Sequence, residues 1–283
     1  MKSATTVAEL RSALTGFREK GQSVALVPTM GALHAGHLAL VEQARRSAGK
    51  VVVSLFVNPK QFGPGEDLDR YPRDLEGDAE KLREAGVDLL FAPTVEEMYP
   101  PGFSTTVHVA GVSEGMEGAR RPGHFDGVAT VVARLFGLVL PDLAFFGQKD
   151  AQQCAVVMRL AKDLGLPVEV RVVPTVRESD GLALSSRNAY LTPEERKAAP
   201  ALFRALLATQ LLHGLGERKA ERLLAAFRMA LATEPLLALD TVDLVDVATM
   251  RPVATVDGPV LLAAAVRAGR TRLIDNVVFG GDR

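Results

Sequence analysis

The sequence predicts an α/β protein in which a doubly wound parallel sheet is followed by a smaller C-terminal α+β domain. Short apolar runs alternate with amphipathic helical patterns over the first 176 residues. Strands that are apolar on both faces and separated by helices are typical of a parallel sheet covered by helices on each side. Further along the chain, two helical patterns precede three strand-like runs. We therefore predict two domains, residues 1–176 and 177–283.

The predicted elements follow in chain order. In the first domain, strands are predicted over residues 23–29, 50–57, 88–93, 105–112, 142–147 and 168–176. Helices are predicted where apolar side chains recur every three or four positions, over residues 37–48, 74–87, 126–140 and 150–165. The second domain has predicted helices over 193–212 and 217–233, and predicted strands over 241–250, 260–266 and 272–279.

Composition and charge indicate an ordinary globular protein. Apolar residues make up 47% of the 283 residues, charged residues make up 24%, and the formal net charge is −1. Such a chain carries no global signal for nucleic acid or for a membrane surface as a partner. The single cysteine, Cys154, fits a reducing compartment, and neither a signal-peptide pattern nor a bilayer-spanning stretch is present. We therefore expect a cytoplasmic protein.

The segment "TMGALHAGH", residues 29–37, follows the first predicted strand. In open parallel sheets, ligands bind beyond the carboxyl ends of the strands, where helix N-termini point their free N–H groups. Gly31 and Gly36 permit close approach of the backbone to a ligand. His34 and His37 share one face of the predicted helix. The pattern therefore indicates a phosphate site in which both imidazoles donate hydrogen bonds.

Two other interpretations of this segment stay open on the residues alone. The histidine pair could bind a metal, although the other three histidines are scattered along the chain. His37 could instead be a core histidine, since its apolar stripe continues through Val41 and Ala44. The fingerprints GxGxxG after a strand and GxxxxGK[ST] do not occur in the sequence, which disfavours a dehydrogenase or a P-loop enzyme.

The segment "FFGQKD", residues 145–150, ends a later strand of the same predicted sheet. Lys149 offers a point charge suited to phosphate. Asp150 and Gln153 match the spacing of a helix-capping pair, and spacing alone favours that structural role. A ligand-binding role for Gln153 stays open beside it.

Two loops contribute further polar residues. "ALSSRN", residues 183–188, combines hydroxyls with an arginine that can bind phosphate, although a solvated interdomain loop is the simpler interpretation. The long segment of residues 56–74 offers Asn58, Gln61 and Tyr71 to a small polar substrate, with a mobile surface loop as the alternative. Because these segments converge on one edge of the predicted sheet, we expect one cleft that binds a phosphorylated ligand.

The sequence closely resembles the pantoate–β-alanine ligase (pantothenate synthetase) family, within the wider HxGH nucleotidyltransferase superfamily. The matching segments occur in the family's order and are "VPTMGALHAGH", "FVNPKQF", "RPGHFDGVATVV", "FFGQKDAQQ" and "LSSRNAYL". The resemblance spans about residues 6–279. It implies a Rossmann-like sheet of the nucleotidyltransferase type, a C-terminal lid domain that closes over ATP, and a homodimer.

The resemblance also implies a reaction. Members of the family convert ATP and (R)-pantoate to pantoyl adenylate and pyrophosphate with the help of Mg²⁺, and the amine of β-alanine then displaces AMP to give pantothenate. We expect the Mg²⁺ to be carried by the ATP phosphates rather than by dedicated protein ligands. No tightly bound organic cofactor is expected, and the expected partners are these three small molecules.

By motif match, the resemblance implies that His37 is the residue usually assigned as the proton donor. From their placement around one inferred cleft, we expect His34, His37 and Lys149 to act in catalysis at the phosphate oxygens. The implied ATP contacts are Met30, Gly31, Ala32, Leu33, His34, Ala35, Gly36, His37, Gly147, Gln148, Lys149, Asp150, Val176, Leu184, Ser185, Ser186 and Arg187. Gln61 and Gln153 match the pantoate-binding glutamines, and Gln61 also lies where β-alanine enters. Many members have methionine in place of Leu184, a change that a backbone contact would tolerate.

Two rival functions stay open at this point. Another HxGH adenylyltransferase, acting for instance on a phosphate ester such as phosphopantetheine, would need a more cationic acceptor pocket than Gln61 and Gln153 provide. A non-catalytic ATP-binding module would bind ATP without turnover. The joint presence of all four polar segments argues against that second alternative.

Overall fold

The computed structural model of the chain describes residues 1–281 and contains two β-sheets. The strands of the first sheet are β1 (Lys2–Ala4), β2 (Val24–Thr29), β3 (Lys50–Leu55), β4 (Leu89–Phe91), β5 (Leu143–Gly147) and β6 (Glu169–Val173). They lie in the order β1-β4-β3-β2-β5-β6, and every neighbouring pair is parallel. The second sheet is antiparallel and consists of β7 (Leu237–Asp246), β8 (Val260–Ala268) and β9 (Thr271–Phe279).

Ten α-helices accompany these strands within the described residues. Those before β6 are α1 (Val7–Arg18), α2 (Ala35–Ser47), α3 (Leu75–Glu84), α4 (Val95–Met98), α5 (Met116–Arg120), α6 (His124–Val139) and α7 (Ala151–Asp163). Those between β6 and β7 are α8 (Pro193–Ala198), α9 (Ala201–Gly214) and α10 (Ala220–Leu231). Short 3-10 turns lie at Pro59–Gln61, Leu68–Arg70, Gln148–Asp150 and Ser186–Tyr190.

The central strands β2, β3 and β5 are largely apolar, as expected where both faces of a parallel sheet are covered. In β2, Val24 and Leu26 join a core cluster with α1, α6 and α7, whereas Ala25 and Val27 join a cluster with α2 and α3. A third cluster packs α9 and α10 against the antiparallel sheet. The predicted fold class, a doubly wound parallel sheet with a smaller C-terminal α+β domain, is confirmed.

The predicted strand over residues 105–112 is wrong, since this segment is irregular in the structure. Val109 and Val112 are buried against the main core cluster, and the backbone N–H of Val107 donates to the Thr130 hydroxyl at 2.9 Å. The apolar pattern therefore reflects packing on the core rather than pairing in a sheet. Such a short run does not distinguish these two situations.

Other differences lie at element boundaries. The predicted helix over residues 193–212 is divided between α8 and α9, with Pro200 at the N-cap of α9. Proline lacks the N–H that would continue the helix and clashes with the preceding turn. The sequence pattern also missed β1 and α1, which open the chain. The predicted division after residue 176 lies three residues beyond β6, and its exact position stays a prediction.

The topology defines where a ligand can bind. From β2 the chain passes through α2 to β3 on one side, and from β5 it passes through α7 to β6 on the other. The order of strands therefore reverses between β2 and β5, and the carboxyl ends of these two neighbours flank a crevice. Such a switch point is the usual ligand site of doubly wound sheets.

The second domain packs beside this crevice. Arg272 in β9 donates two hydrogen bonds, of 2.5 and 2.7 Å, to the carboxylate of Glu117 in α5. β9 also contacts the Gln148–Asp150 turn that follows β5. In residues 1–281 there is no helix with the length and apolar character needed to cross a membrane.

The close packing of α6 on the Pro59–Gln61 turn predicts an asymmetry between two glycines of that helix. A Cβ on Gly127 would overlap the Lys60 carbonyl and lie 2.6 Å from the Gln61 nitrogen, whereas one on Gly137 would meet nothing within 4 Å. We expect Gly127→Ala to lower the free energy of unfolding by about 1–3 kcal/mol through overpacking. Gly137→Ala should leave it unchanged or raise it by up to about 1 kcal/mol. Urea denaturation of both variants checks this, and equal effects would contradict the packing account.

Candidate active site

The turn between β2 and α2 has an unusual backbone. Gly31 and Ala32 both adopt positive φ, +89° and +52°, which turns the chain sharply before the helix begins at Ala35. The Nδ1 atom of His34, the N-cap residue, accepts a hydrogen bond from the Gly36 N–H at 3.1 Å. Nδ1 of His37 accepts one from the His34 N–H at 3.3 Å. The two histidines thus cap the N-terminus of α2 reciprocally.

Both imidazoles are neutral at neutral pH. Burial, followed by the charge of Lys149, lowers the pKa of His34. Burial, followed by the charges of His34 and Lys149, lowers the pKa of His37 to about 3. Because Nδ1 of each ring accepts a hydrogen bond, the ring proton lies on Nε2. Each ring therefore offers a neutral N–H donor.

Helix α3 supports this turn from behind, a contact that the sequence pattern did not reveal. The carboxylate of Asp78, 1% exposed, accepts the Leu33 N–H at 2.8 Å, and Lys81 Nζ donates to the Leu33 carbonyl at 3.0 Å. The backbone N–H and the carbonyl of Leu33, the residue before His34, are thereby both fixed. The i, i+3 spacing of an acid and a lysine on a helix is too common to predict such a role from sequence.

The turn after β5 corrects the predicted helix cap. Asp150 occupies the N-cap position of α7, yet its side chain makes no capping hydrogen bond, because a 3-10 turn precedes the helix. Its carboxylate, 49% exposed, lies 3.9 Å from Nζ of Lys149 instead. Gln153 lines the cavity described below and does not act as a capping partner. The capping interpretation of this pair is therefore wrong.

Asn58 and Gln61 are both buried, in contrast to the alternative of a mobile surface loop. The Asn58 amide nitrogen donates to Gln61 Oε1 and to the Gly127 carbonyl, both at 3.1 Å, and its oxygen accepts from the Tyr99 hydroxyl at 2.8 Å. These bonds leave the Gln61 amide nitrogen directed at Met30 Sδ, 3.0 Å away. Tyr71, also buried, lines the same space.

Residues 183–188 reach back toward the first domain. The Ser185 hydroxyl accepts the Arg187 N–H at 3.2 Å and caps a 3-10 turn. The Arg187 guanidinium donates two hydrogen bonds, of 3.1 and 3.2 Å, to the carboxylate of Asp67 in the 56–74 segment. The segment is therefore tied across the crevice and is more than a solvated connection.

These elements enclose one cavity of about 240 Å³ at the switch point between β2 and β5. Twelve of the predicted ATP-contacting residues and both predicted pantoate glutamines line it: Met30, His34, Gly36, His37, Gly147, Lys149, Asp150, Val176, Leu184, Ser185, Ser186, Arg187, Gln61 and Gln153. Five predicted contacts do not line it: Gly31, Ala32, Leu33, Ala35 and Gln148. A larger opening of about 980 Å³ adjoins the cavity through Lys149, Asp150 and Arg187.

The metal interpretation of the histidine pair finds no support in the described part of the chain. Within residues 1–281, no three histidine, cysteine or carboxylate side chains gather into a group that could hold a metal ion. The core interpretation of His37 also fails, because the ring keeps part of its surface in the cavity.

Comparison with known proteins gives one consistent answer. A model of the family pantoate-beta-alanine ligase matches residues 2–278. A pantothenate synthetase of Chloroflexus aurantiacus is 55% identical, covering 100% of this chain and 99% of that protein. The crystal structure of pantothenate synthetase from Thermus thermophilus is 57% identical, with a TM-score of 0.92 over 98% of this chain and 99% of that one.

The chain belongs to the pantoate–β-alanine ligase family. It is therefore a ligase that forms an amide bond from small-molecule substrates and uses a nucleotide. A more distant relative has also been crystallised, the pantoate–β-alanine ligase of Francisella tularensis in complex with β-γ ATP and β-alanine. It is 31% identical, with a TM-score of 0.80 over 98% of this chain and 97% of that one.

Two cavity residues of this ligase were not singled out by reasoning from residue types. Arg121 donates two hydrogen bonds, of 2.6 and 2.7 Å, to the Glu66 carboxylate and a longer one, of 3.3 Å, to the Gln61 carbonyl. Nδ1 of His124 lies 2.8 Å from the same carbonyl. Both belong to the segment "RPGHFDGVATVV", which was recognised only as one of the motifs that resemble the family. Reasoning from residue types could not find them, because no local pattern connects this segment with a loop some 60 residues away.

The low pKa of His37 predicts an acid-dependent loss of stability. Below pH 6.5 His37 becomes protonated in the unfolded chain, whereas in the folded chain its pKa is about 3. Between these two pH values the unfolded state binds more protons, so the free energy of unfolding decreases as the pH is lowered. Glutamine can accept the same hydrogen bond without titrating. When the pH is lowered from 7 to 5, the free energy of unfolding of the ligase should therefore decrease by about 2 kcal/mol more than that of its His37→Gln variant, as measured by urea denaturation. Parallel losses in both proteins would show that His37 titrates normally in the folded state.

Proposed function

We propose that the cavity at the β2–β5 switch point joins (R)-pantoate to β-alanine in two steps, through pantoyl adenylate. In the first step the pantoate carboxylate attacks the α-phosphorus of ATP and releases pyrophosphate. In the second, the β-alanine amine attacks the acyl carbon and releases AMP. The observation that carries the proposal is the convergence of phosphate-binding donors and two uncharged amides on one cavity.

The phosphates of ATP are proposed to lie between the N-terminus of α2 and the Lys149 turn. His34 and His37 supply neutral N–H donors, Lys149 supplies a charge, and burial strengthens both kinds of interaction. Ser185, Ser186 and Arg187 approach from the other side of the cavity. No covalent enzyme intermediate is required, because the protein needs only to align the carboxylate and neutralise developing charge on the phosphate.

Pantoate is proposed to bind between Gln61 and Gln153. Amide side chains offer donors to a carboxylate and both donors and acceptors to hydroxyl groups, which matches a hydroxy acid. Asn58 fixes the orientation of Gln61 by donating to its oxygen. The Gln61 amide nitrogen contacts Met30 Sδ with one N–H and can offer the other to a ligand. β-Alanine is proposed to enter beside the same Gln61.

Mg²⁺ is part of the proposal as the companion of ATP. The phosphate end of the cavity presents the carboxylate of Asp150, which makes no capping hydrogen bond and is half exposed. In sites that bind ATP, Mg²⁺ is commonly held by phosphate oxygens, water and one or two carboxylates, so this carboxylate would be available to it. When bound, the ion supplies positive charge to those oxygens. Asp150 would help to hold the ion through its carboxylate, while Lys149 would neutralise the remaining phosphate charge.

The setting of the reaction completes the proposal. Residues 177–283 are proposed to act as a lid on residues 1–176, and the Arg187–Asp67 pair across the crevice supports this. Closure would keep water from the mixed anhydride. The proposed homodimer rests on the family. The proposed cytoplasmic location is supported by the one cysteine of the chain, which is buried.

An adenylyltransferase acting on a phosphate ester is a weaker candidate. Its acceptor would need cationic side chains beside the α-phosphorus, whereas Gln61 and Gln153 are uncharged. The nearby Arg121 is already engaged by the Glu66 carboxylate at 2.6 Å. The arrangement therefore favours a hydroxy acid as the acceptor.

The proposal predicts pantoate-dependent exchange of pyrophosphate into ATP with β-alanine omitted. Exchange should be absent without pantoate and should fall by about tenfold or more in the Lys149→Ala and His37→Ala variants, because each loses a donor to the phosphates. A reduction of kcat/KM below about threefold, or about 0.7 kcal/mol, would remove that residue from the mechanism. If no exchange occurs, release of AMP after adding β-alanine decides whether pyrophosphate leaves only in the complete reaction.

The pantoate assignment predicts a selective change in KM. Gln153→Ala should raise the KM for pantoate about tenfold or more, since a hydrogen bond to a charged group contributes about 1.5–3 kcal/mol, and should change the KM for ATP by less than about twofold. Gln43→Ala, on the exposed face of α2, serves as the control and should change neither. Steady-state kinetics with each substrate varied in turn measures both. Equal increases in the two KM values would place Gln153 outside the pantoate site.

A further inference from the structure

Asn276 in β9 forms a buried contact with the turn that carries Lys149. Its side-chain nitrogen donates to the carbonyls of Gln148 and Lys149 at 2.9 and 3.0 Å. The third contact agrees with this orientation of the Asn276 amide, because its oxygen accepts from the side-chain nitrogen Nε2 of Gln148 at 3.4 Å. Both donors of one side chain are therefore used on two successive carbonyls of a different domain.

The position of Asn276 in the sheet is distinctive. Arg272, Ile274, Asn276 and Val278 alternate along β9 and therefore share one face of the sheet. Arg272 and Ile274 are partly exposed, and Val278 is 42% exposed. Asn276, on the same face, is only 3% exposed. A polar side chain at the most buried point of an otherwise accessible face must satisfy its hydrogen-bonding groups within the protein.

Asn276 is itself held in place by a chain of buried polar contacts. Its backbone N–H donates to Asp275 Oδ1 at 2.8 Å. Asp275, 3% exposed, accepts two hydrogen bonds from the Arg177 guanidinium, at 2.5 and 2.9 Å. The guanidinium also lies over the Phe203 ring, 3.6 Å from its centroid. The strand thus presents the Asn276 amide to the turn from a rigid support.

The turn needs such support because its own capping is incomplete. Residues Gln148–Asp150 form a single 3-10 turn, and neither this turn nor α7 has a side-chain cap hydrogen bond at its N-terminus. Lys149 projects from the middle of that turn into the cavity. A small shift of its backbone would therefore move the ammonium group away from a phosphate.

We propose that Asn276 is a positioning residue for Lys149, setting the place of the phosphate-binding ammonium by fixing the carbonyls of the turn from the second domain. This inference rests on the proposed function of Lys149 as an ATP contact. It gives the second domain a role that a lid alone does not have, since the position of a residue in the first domain depends on a strand in the second. Asparagine suits the task because it offers two N–H donors without a charge.

The test is a double-mutant cycle read by calorimetric ATP binding to the full-length protein. Asn276→Ala should weaken ATP binding about tenfold when Lys149 is present and by less than about twofold in a Lys149→Ala background, because its effect passes through Lys149. Val277→Ala is the matched control: it alters the neighbouring residue of β9, which packs in the core of the second domain, and should leave ATP binding nearly unchanged in both backgrounds.

The outcomes separate the possibilities. Equal weakening by Asn276→Ala in both backgrounds would show a general structural role and overturn the inference. If Lys149→Ala alone leaves ATP affinity unchanged, the proposed function of Lys149 fails, and the inference with it. If Asn276→Ala does not fold, two other variants replace it. Asn276→Asp should weaken ATP binding, because its carboxylate would face two carbonyl oxygens. Asn276→Ser retains one donor, and its ATP affinity should lie between those of wild type and Asn276→Asp. An Asn276→Asp variant that binds ATP as wild type does would also overturn the inference.

Discussion

The structure depends on one constraint at the N-terminus of α2: its free N–H groups must be satisfied in part, yet stay directed at a ligand. The imidazoles of His34 and His37 meet this constraint by accepting hydrogen bonds through Nδ1. Each ring then has its second nitrogen available to the cavity. Capping by aspartate would satisfy the same N–H groups, but its carboxylate would repel phosphate.

The rest of the crevice is arranged to keep that helix end in position. Asp78 and Lys81 hold the peptide of Leu33 from α3, and Asn58 aligns the amide of Gln61 while bonding to α6. The principal polar side chains of the site are thus each oriented by a buried neighbour. Orientation of this kind lets hydrogen bonds act on a developing charge without reorganisation of the site.

Much of the fold was predictable from sequence because β2, β3 and β5 are buried on both faces and α2, α6 and α7 are strongly periodic. The prediction failed at residues 105–112, where an apolar run packs on the core without pairing. It failed also at Asp150, which ends a 3-10 turn at the N-cap position of α7 but makes no capping hydrogen bond. Both failures have one origin. The spacing of residues along the sequence indicates which contacts are possible, but which of them form depends on elements distant in the sequence.

The sequence by itself determined the fold class, the strand-end location of the polar segments, and the family through its motifs. Only the tertiary structure decided the neutral state of the histidines, because desolvation depends on everything that surrounds a ring. It alone revealed Asp78, Arg121 and Asn276, whose partners lie tens to more than a hundred residues away. Polar contacts of that range leave no periodic signal, since each depends on how two separately folded segments meet.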